Sequence, residues 1–121
     1  MIWLSPNFKQ NQLKCTLLDE PSANISDDVL TVIENEDVII ECDIDANPSD
    51  NLTVTWWQDN RQLDDERFTD YVDGNVGVLE IQGVQAADAG QYHCQVENIV
   101  GETLSNPATL DVLCKYKQSI N

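Results

Sequence analysis

The sequence offers few residues that could carry out covalent chemistry. His93 is the single histidine of the chain, so a Ser/His/Asp or Cys/His catalytic set would have to be built on it. His93 alternates with Tyr92 and Cys94, and this alternation predicts an outward, solvated ring on a strand. Glycine-rich phosphate loops and zinc-type cysteine spacings do not appear in the sequence. We therefore predict a chain that is not an enzyme and needs no cofactor.

An acidic run, Asp64-Asp65-Glu66, could in principle hold calcium, because hard oxygen ligands suit that ion. The run lacks the regular ligand spacing of a calcium loop. A solvated acidic turn is the better interpretation, and we predict no metal site.

Four cysteines, Cys15, Cys42, Cys94 and Cys114, favour an oxidising compartment without proving it. Two segments match the N-glycosylation pattern, Asn24-Ile25-Ser26 and Asn51-Leu52-Thr53. Two such matches beside several cysteines favour an extracellular location.

The charge balance is strongly acidic, with 22 acids against 6 bases and a formal net charge of −16. Such a surface repels nucleic acid and anionic membranes, and it could steer a basic partner. Alternatively the acids serve only solubility. The sequence contains neither a signal peptide nor a membrane-spanning run. An extracellular domain would therefore take its export signal from elsewhere in a longer chain.

Several segments alternate apolar and polar residues with the period of two that is typical of half-buried strands. No segment sustains a helical period. The alternation is clearest in four places: Val38-Ile40-Cys42, Leu52-Val54-Trp56, Leu79-Ile81 and Tyr92-Cys94-Val96. Short strands separated by turns predict an all-β sandwich or barrel.

One set of residues narrows this prediction: Cys42, Trp56 and the run Asp88-x-Gly90-x-Tyr92-x-Cys94. Over residues 21–113 the sequence resembles an I-set domain of the immunoglobulin superfamily, similar to those of cell-adhesion and axon-guidance type receptors. The resemblance implies a Greek-key β-sandwich of two antiparallel sheets joined by a Cys42–Cys94 disulfide. Residues 1–20 would form an N-terminal arm and residues 114–121 a tail or interdomain linker.

The resemblance also implies roles for single residues. Trp56 would pack against the bridge, and the Tyr92 hydroxyl would bond back to the backbone as a tyrosine corner. Gly90 would permit the turn into that strand. Arg67 would pair with Asp88. Buried free thiols are the alternative to the Cys42–Cys94 bridge.

The remaining cysteines, Cys15 and Cys114, precede the first strand and follow the last. These points usually lie at opposite ends of this fold, so a bond between them requires the arm to fold back along the domain. Pairing with another domain or chain, or free thiols, are the alternatives.

Trp57 adjoins Trp56, so a period of two places it on the outer face of its sheet. His93, Gln95 and Glu97 should share that face. An outward tryptophan among polar residues is typical of an interface anchor, although a neighbouring side chain could half cover it. We predict that the sheet of strands C, F and G is a binding face.

The expected function is protein–protein recognition or cell adhesion by an extracellular module of a larger receptor or secreted protein. The partner would be another protein, including an immunoglobulin-domain protein of like or unlike kind, with neighbouring immunoglobulin domains in the same chain. The segment would contact neither nucleic acid nor the membrane interior. The alternative is a cytosolic spacer in a muscle-type filament protein.

Overall fold

The computed structural model describes residues 19–47 and 51–114, which form ten strands and one short 3-10 helix. The helix spans Ala86–Asp88. The strands are β1 (Asp19–Asn24), β2 (Val29–Ile33), β3 (Val38–Asn47), β4 (Thr53–Gln58), β5 (Arg61–Gln62), β6 (Phe68–Asp73), β7 (Val76–Ile81), β8 (Gly90–Glu97), β9 (Glu102–Leu104) and β10 (Ala108–Leu113).

The strands form two sheets that pack face to face. The four-stranded sheet has the order β1-β3-β7-β6, and the six-stranded sheet has the order β2-β10-β8-β4-β5, with β9 also paired to β8. The predicted all-β sandwich of two sheets is confirmed. One pair departs from antiparallel order, because β2 runs parallel to β10.

The core lies between the sheets and follows the period-two pattern of the sequence. Ile40, Cys42 and Ile44 of β3 are buried, whereas the residues between them are exposed. Tyr92 and Cys94 of β8 are fully buried in the same way. The alternation that predicted half-buried strands therefore also places the predicted face residues on the outside of β8.

The chain changes sheets between β1 and β2, and Asn106 holds this crossing in place. The backbone N–H of Ile25 donates to Asn106 Oδ1 over 2.8 Å, and Asn106 Nδ2 donates to the Ile25 carbonyl over 2.8 Å. The Ile25 side chain is 1% exposed and joins the core. The two hydrogen bonds from the Asn106 side chain satisfy the backbone N–H and carbonyl of Ile25, which no strand of the described residues pairs at this point.

Positive φ is needed at several turns, including those that lead into β3 and β8. Asn35, at φ 74°, occupies the turn into β3, which asparagine tolerates better than most residues. Gly90, at φ 147°, delivers the chain into β8. A side chain at Gly90 would collide with the carboxylate of Asp59, whose Oδ1 accepts the Gln91 N–H over 2.9 Å.

The first described strand begins at Asp19, two residues before the predicted domain start at residue 21. Most of the predicted arm, including Cys15, and residues 115–121 of the predicted tail lie outside the described residues. Across residues 19–47 and 51–114, no helix has the length and apolar character needed to cross a membrane.

Candidate protein-binding face

The pairing of β4 with β8 brings the predicted face residues together. Trp57 lies directly opposite His93. Thr55 lies opposite Gln95, and Thr53 lies opposite Glu97. Directly opposed residues of an antiparallel pair share a face, so all four predicted residues lie on the outer surface of the six-stranded sheet. We call the outer surface of β4, β8 and β9 the Trp57 face.

A hydrogen-bond relay fixes the Trp57 ring on this face. Trp57 Nε1 donates to Gln95 Oε1 over 2.9 Å, and Gln95 Nε2 donates to Glu102 Oε2 over 2.9 Å. The Trp57 ring is partly covered, which is the alternative that the sequence analysis left open. It is therefore held in one orientation, which lowers the entropy that a partner would have to remove on binding.

Strand β9 adds residues that the sequence pattern did not identify. Glu102 lies directly opposite Glu97, and Leu104 lies opposite Gln95 with 56% of its surface exposed. An open cleft of about 460 Å³ runs beside the Trp57 ring. Its lining residues are Trp57, Asn60, His93, Gln95, Glu102, Thr103 and Leu104. A three-residue strand is too short for a period-two signal, which is why the sequence did not reveal its contribution.

Beneath this face lie the predicted disulfide partners. Cys42 and Cys94 are both 0% exposed, on opposite sheets. Both are free thiols in this structure. The neighbouring Cys42 side chain, together with burial, raises the pKa of the Cys94 thiol. The Cys42–Cys94 disulfide remains a prediction. The two cysteines lie in the same buried cluster, as such a bond would require.

Trp56 lies directly opposite Cys94, so its ring is next to the cysteine pair. The Trp56 ring is 2% exposed, and its Nε1–H finds no acceptor among the described residues. Trp56 belongs to the same buried core cluster as both cysteines.

Tyr92 forms the hydrogen bond expected of a tyrosine corner. Its hydroxyl donates to the Asp88 carbonyl over 2.5 Å, four residues upstream. Burial, with the nearby charge of Asp88, raises the pKa of Tyr92 well above its ordinary value. The hydroxyl therefore stays protonated and remains a donor.

Arg67 and Asp88 form a two-pronged ion pair that ties the turn before β6 to the 3-10 helix before β8. Arg67 Nη2 and Nη1 lie 2.7 and 2.9 Å from the two carboxylate oxygens of Asp88. Asp88 also accepts the Gln85 backbone N–H over 2.8 Å. Burial opposes the ionisation of Asp88, but hydrogen bonds from Arg67 and Gln85 outweigh it and lower the pKa of Asp88. The hydrogen bond to Asp88 raises the pKa of Arg67.

Neither of the two predicted sugar sites lines the cleft. Asn24 is exposed at the end of β1, opposite Asp43. Asn51 is exposed in the loop before β4, at φ 57°. Cys114 is exposed just after β10, whereas its predicted partner Cys15 falls outside the described residues.

The acidic run at 64–66 serves the turn into β6. Asp65 Oδ1 accepts the Arg67 backbone N–H over 3.1 Å, and the Asp65 carboxylate lies 3.9 Å from the Arg67 guanidinium. Within the described residues, no group of three or more histidine, cysteine or acidic side chains could hold a metal ion.

Comparison with known proteins decides the family. The family model described as an immunoglobulin domain matches residues 20–98. The chain belongs to the immunoglobulin superfamily. As an immunoglobulin domain it has a fold that serves structural and recognition roles, and protein interaction is its general function.

Three relatives show the range of this family around the chain. Protein sax-3 of Caenorhabditis elegans is 43% identical over 67 residues, covering 53% of this chain and 5% of that protein. The BDNF/NT-3 growth factors receptor of Gallus gallus is 35% identical over 91 residues, covering 74% and 10%. The solved M1 domain from titin has a TM-score of 0.64 at 28% identity, covering 82% of this chain and 95% of that one. The chain thus spans a tenth or less of protein sax-3 and of the growth factors receptor.

Proposed function

We propose that this immunoglobulin domain is an extracellular recognition and adhesion module of a larger receptor or secreted protein, which binds a partner protein through the Trp57 face. The observation that carries the proposal is the Trp57 ring, held by Gln95 beside an open cleft that Leu104 also lines. A large aromatic side chain with fixed geometry supplies contact area at low entropic cost, which is the usual character of a binding anchor.

The extracellular part of the proposal is supported by three features. Cys42 and Cys94 are buried in the same core cluster, where an oxidising compartment would favour a bridge between them. Asn24 and Asn51 are exposed, as sugar acceptors must be. The likeness to a growth factors receptor points in the same direction.

A cytosolic spacer in a filament protein is the second candidate, and the likeness to a titin domain favours it. This alternative keeps Cys42 and Cys94 as thiols and leaves Asn24 and Asn51 bare. Peptide mapping under non-reducing conditions, on protein recovered from its natural source, separates the two. A Cys42–Cys94 bond with sugar on either asparagine supports the proposal, and thiols with bare asparagines overturn its extracellular part.

The binding face is tested by a matched pair of variants. Trp57→Ala removes the anchor, and Tyr71→Ala removes an aromatic side chain that is 46% exposed on the other sheet. Both are screened with the unaltered chain against recombinant ectodomains, and against the chain itself by sedimentation velocity.

We expect Trp57→Ala to weaken each specific interaction by about 2 kcal/mol, roughly thirty-fold, as for a central interface tryptophan. Tyr71→Ala should weaken it less than about two-fold. The opposite ranking of the two variants, with both folded by circular dichroism, would overturn the assignment of the face.

A further inference from the structure

The Trp57 face brings two carboxylates to directly opposed positions on neighbouring strands. Glu97 and Glu102 lie directly opposite each other on β8 and β9. Like charges in directly opposed positions of an antiparallel pair repel. Gln95 donates one hydrogen bond to Glu102, but an amide carries no charge and leaves the repulsion in place.

The surface around this pair supplies no counter-charge among the described residues. The cleft beside Trp57 and the adjoining depression that contains both glutamates are lined without lysine or arginine. The net charge of −16 works in the same direction over longer range. A cation brought by a partner would relieve the repulsion that the fold leaves uncompensated.

The Trp57 ring lines the same two depressions. Tryptophan is the best side chain for binding a cation over its ring face. The relay through Gln95 sets the ring and the Glu102 carboxylate in one fixed arrangement. An aromatic plane and carboxylate oxygens at adjoining positions are the two features that a planar guanidinium uses at once.

We infer that the Trp57 cleft accepts an arginine side chain of a basic partner protein, stacked on Trp57 and paired with Glu102 and Glu97. This inference rests on the proposed function, since it names the chemistry that the binding face recognises. Arginine fits better than lysine, because a compact ammonium neither stacks on the ring nor spans two carboxylates.

The probe is N-acetyl-arginine amide, titrated into the ¹⁵N-labelled chain at pH 7.5 and low salt. We expect saturable shifts of the Trp57 indole N–H signal and of the Gln95 and Glu102 amides. The lysine analogue should bind about three-fold more weakly, and the neutral citrulline analogue should cause no saturable shift.

Two variants that each remove one negative charge sharpen the test. Glu102→Gln should weaken binding of the arginine probe about three-fold, as expected for an exposed ion pair. Asp43→Asn removes an exposed carboxylate from the other sheet and should leave the affinity for the probe unchanged.

Three results would overturn the inference: equal weakening by the two variants, shifts centred on the other sheet, or the same shifts produced by calcium chloride. These outcomes are separable from failure of the proposed function. If Trp57→Ala abolishes partner binding while the arginine probe does not bind, the Trp57 face is the binding surface but it does not recognise arginine.

Discussion

The two outer surfaces of the sandwich are built from the same strand geometry but differ in what holds their side chains. The outer surface of β3, β7 and β6, here called the acidic face, presents three cross-strand rows. In order, they are Ile39-Glu80-Thr69, Glu41-Val78-Tyr71 and Asp43-Val76-Asp73, and Val78 is covered by its neighbours. On the Trp57 face, by contrast, a bonded relay fixes an aromatic ring beside a cleft.

The aromatic residues of the two faces show the difference most directly. Tyr71 has a single long hydrogen bond, of 3.3 Å, to Glu80. Partial burial, together with the charges of Glu80, Asp73 and Glu41, raises the pKa of Tyr71. Trp57, by contrast, is held by Gln95, whose other end is fixed by Glu102. Carboxylates spread among apolar side chains repel acidic partners, whereas fixed geometry beside a cleft gives a surface that can discriminate between partners.

We expect the largest effect at the Arg67–Asp88 ion pair, which ties the turn before β6 to the 3-10 helix and lies outside both faces. Arg67→Met should lower the free energy of unfolding by about 3 kcal/mol at pH 7, because it leaves the buried Asp88 carboxylate without its partner. Equilibrium denaturation with urea measures the loss. Arg61→Met, at an exposed arginine of β5, is the control and should change stability by less than about 0.5 kcal/mol.

The pH dependence of the Arg67→Met deficit has a defined sign. In the unaltered chain Asp88 has a lowered pKa, so its contribution is full above the unfolded pKa of about 3.9 and is lost as pH falls through the lower folded value. In the variant the unpaired, buried carboxyl has a raised pKa, so its cost falls once pH drops below that value. The gap between the two proteins should therefore narrow between pH 7 and pH 4. A gap that widens as pH falls would contradict this account of the pair.

Tyr92→Phe tests the corner that carries β8 into the Trp57 face. The substitution removes the hydroxyl donor to the buried Asp88 carbonyl, and we expect a loss of about 1–2 kcal/mol in the free energy of unfolding. Thermal unfolding followed by calorimetry checks it. An unchanged melting temperature would show that the hydrogen bond contributes nothing net to stability.

Glu97→Gln has the smallest expected effect. It compares the two faces by the change that each charge removal makes in stability and in partner binding. Relieving the repulsion from Glu102 should raise the free energy of unfolding by about 0.5 kcal/mol. Binding of a basic partner should weaken at the same time. Asp43→Asn on the acidic face should leave partner binding unchanged. A variant Glu97→Gln that is less stable than the unaltered chain would contradict the description of the Glu97–Glu102 pair as repulsive.

The sequence predicted the interior and the centre of the Trp57 face better than the edge of that face, which β9 forms. Cys42, Trp56, Tyr92 and Cys94 lie where the motif and the period of two predicted, and Trp57 faces outward for the same reason. These positions were predictable because each strand alternates over at least five residues and the spacing of the motif fixes the register.

The sequence did not identify the edge formed by β9, because the position of that edge depends on pairing with a separate strand. Glu102 and Leu104 belong to a three-residue strand, whose place on the face follows from pairing with β8. Asn106 clamps Ile25 across 81 positions of the chain. No local pattern encodes either contact. The acidic face likewise emerges only when β3, β6 and β7 are placed in register.

The most direct test of the binding face is to cover each surface in turn with sugar. Thr53→Asn creates the glycosylation pattern Asn-Val-Thr on β4, opposite Glu97 on the Trp57 face. It also removes the pattern at Asn51, so Thr53→Ala is its control. Asp43→Asn combined with Asp45→Thr places the same pattern on the acidic face, where both positions are exposed. The proteins are secreted from eukaryotic cells behind an added signal, and a glycosidase mobility shift confirms each sugar.

Binding to the partner found in the ectodomain screen is then measured by surface plasmon resonance. The account predicts that sugar at position 53 abolishes binding, while Thr53→Ala and sugar at position 43 leave it within about two-fold of the unaltered chain. Binding that survives sugar at position 53 and is lost with sugar at position 43 would contradict the assignment of the Trp57 face as the recognition surface.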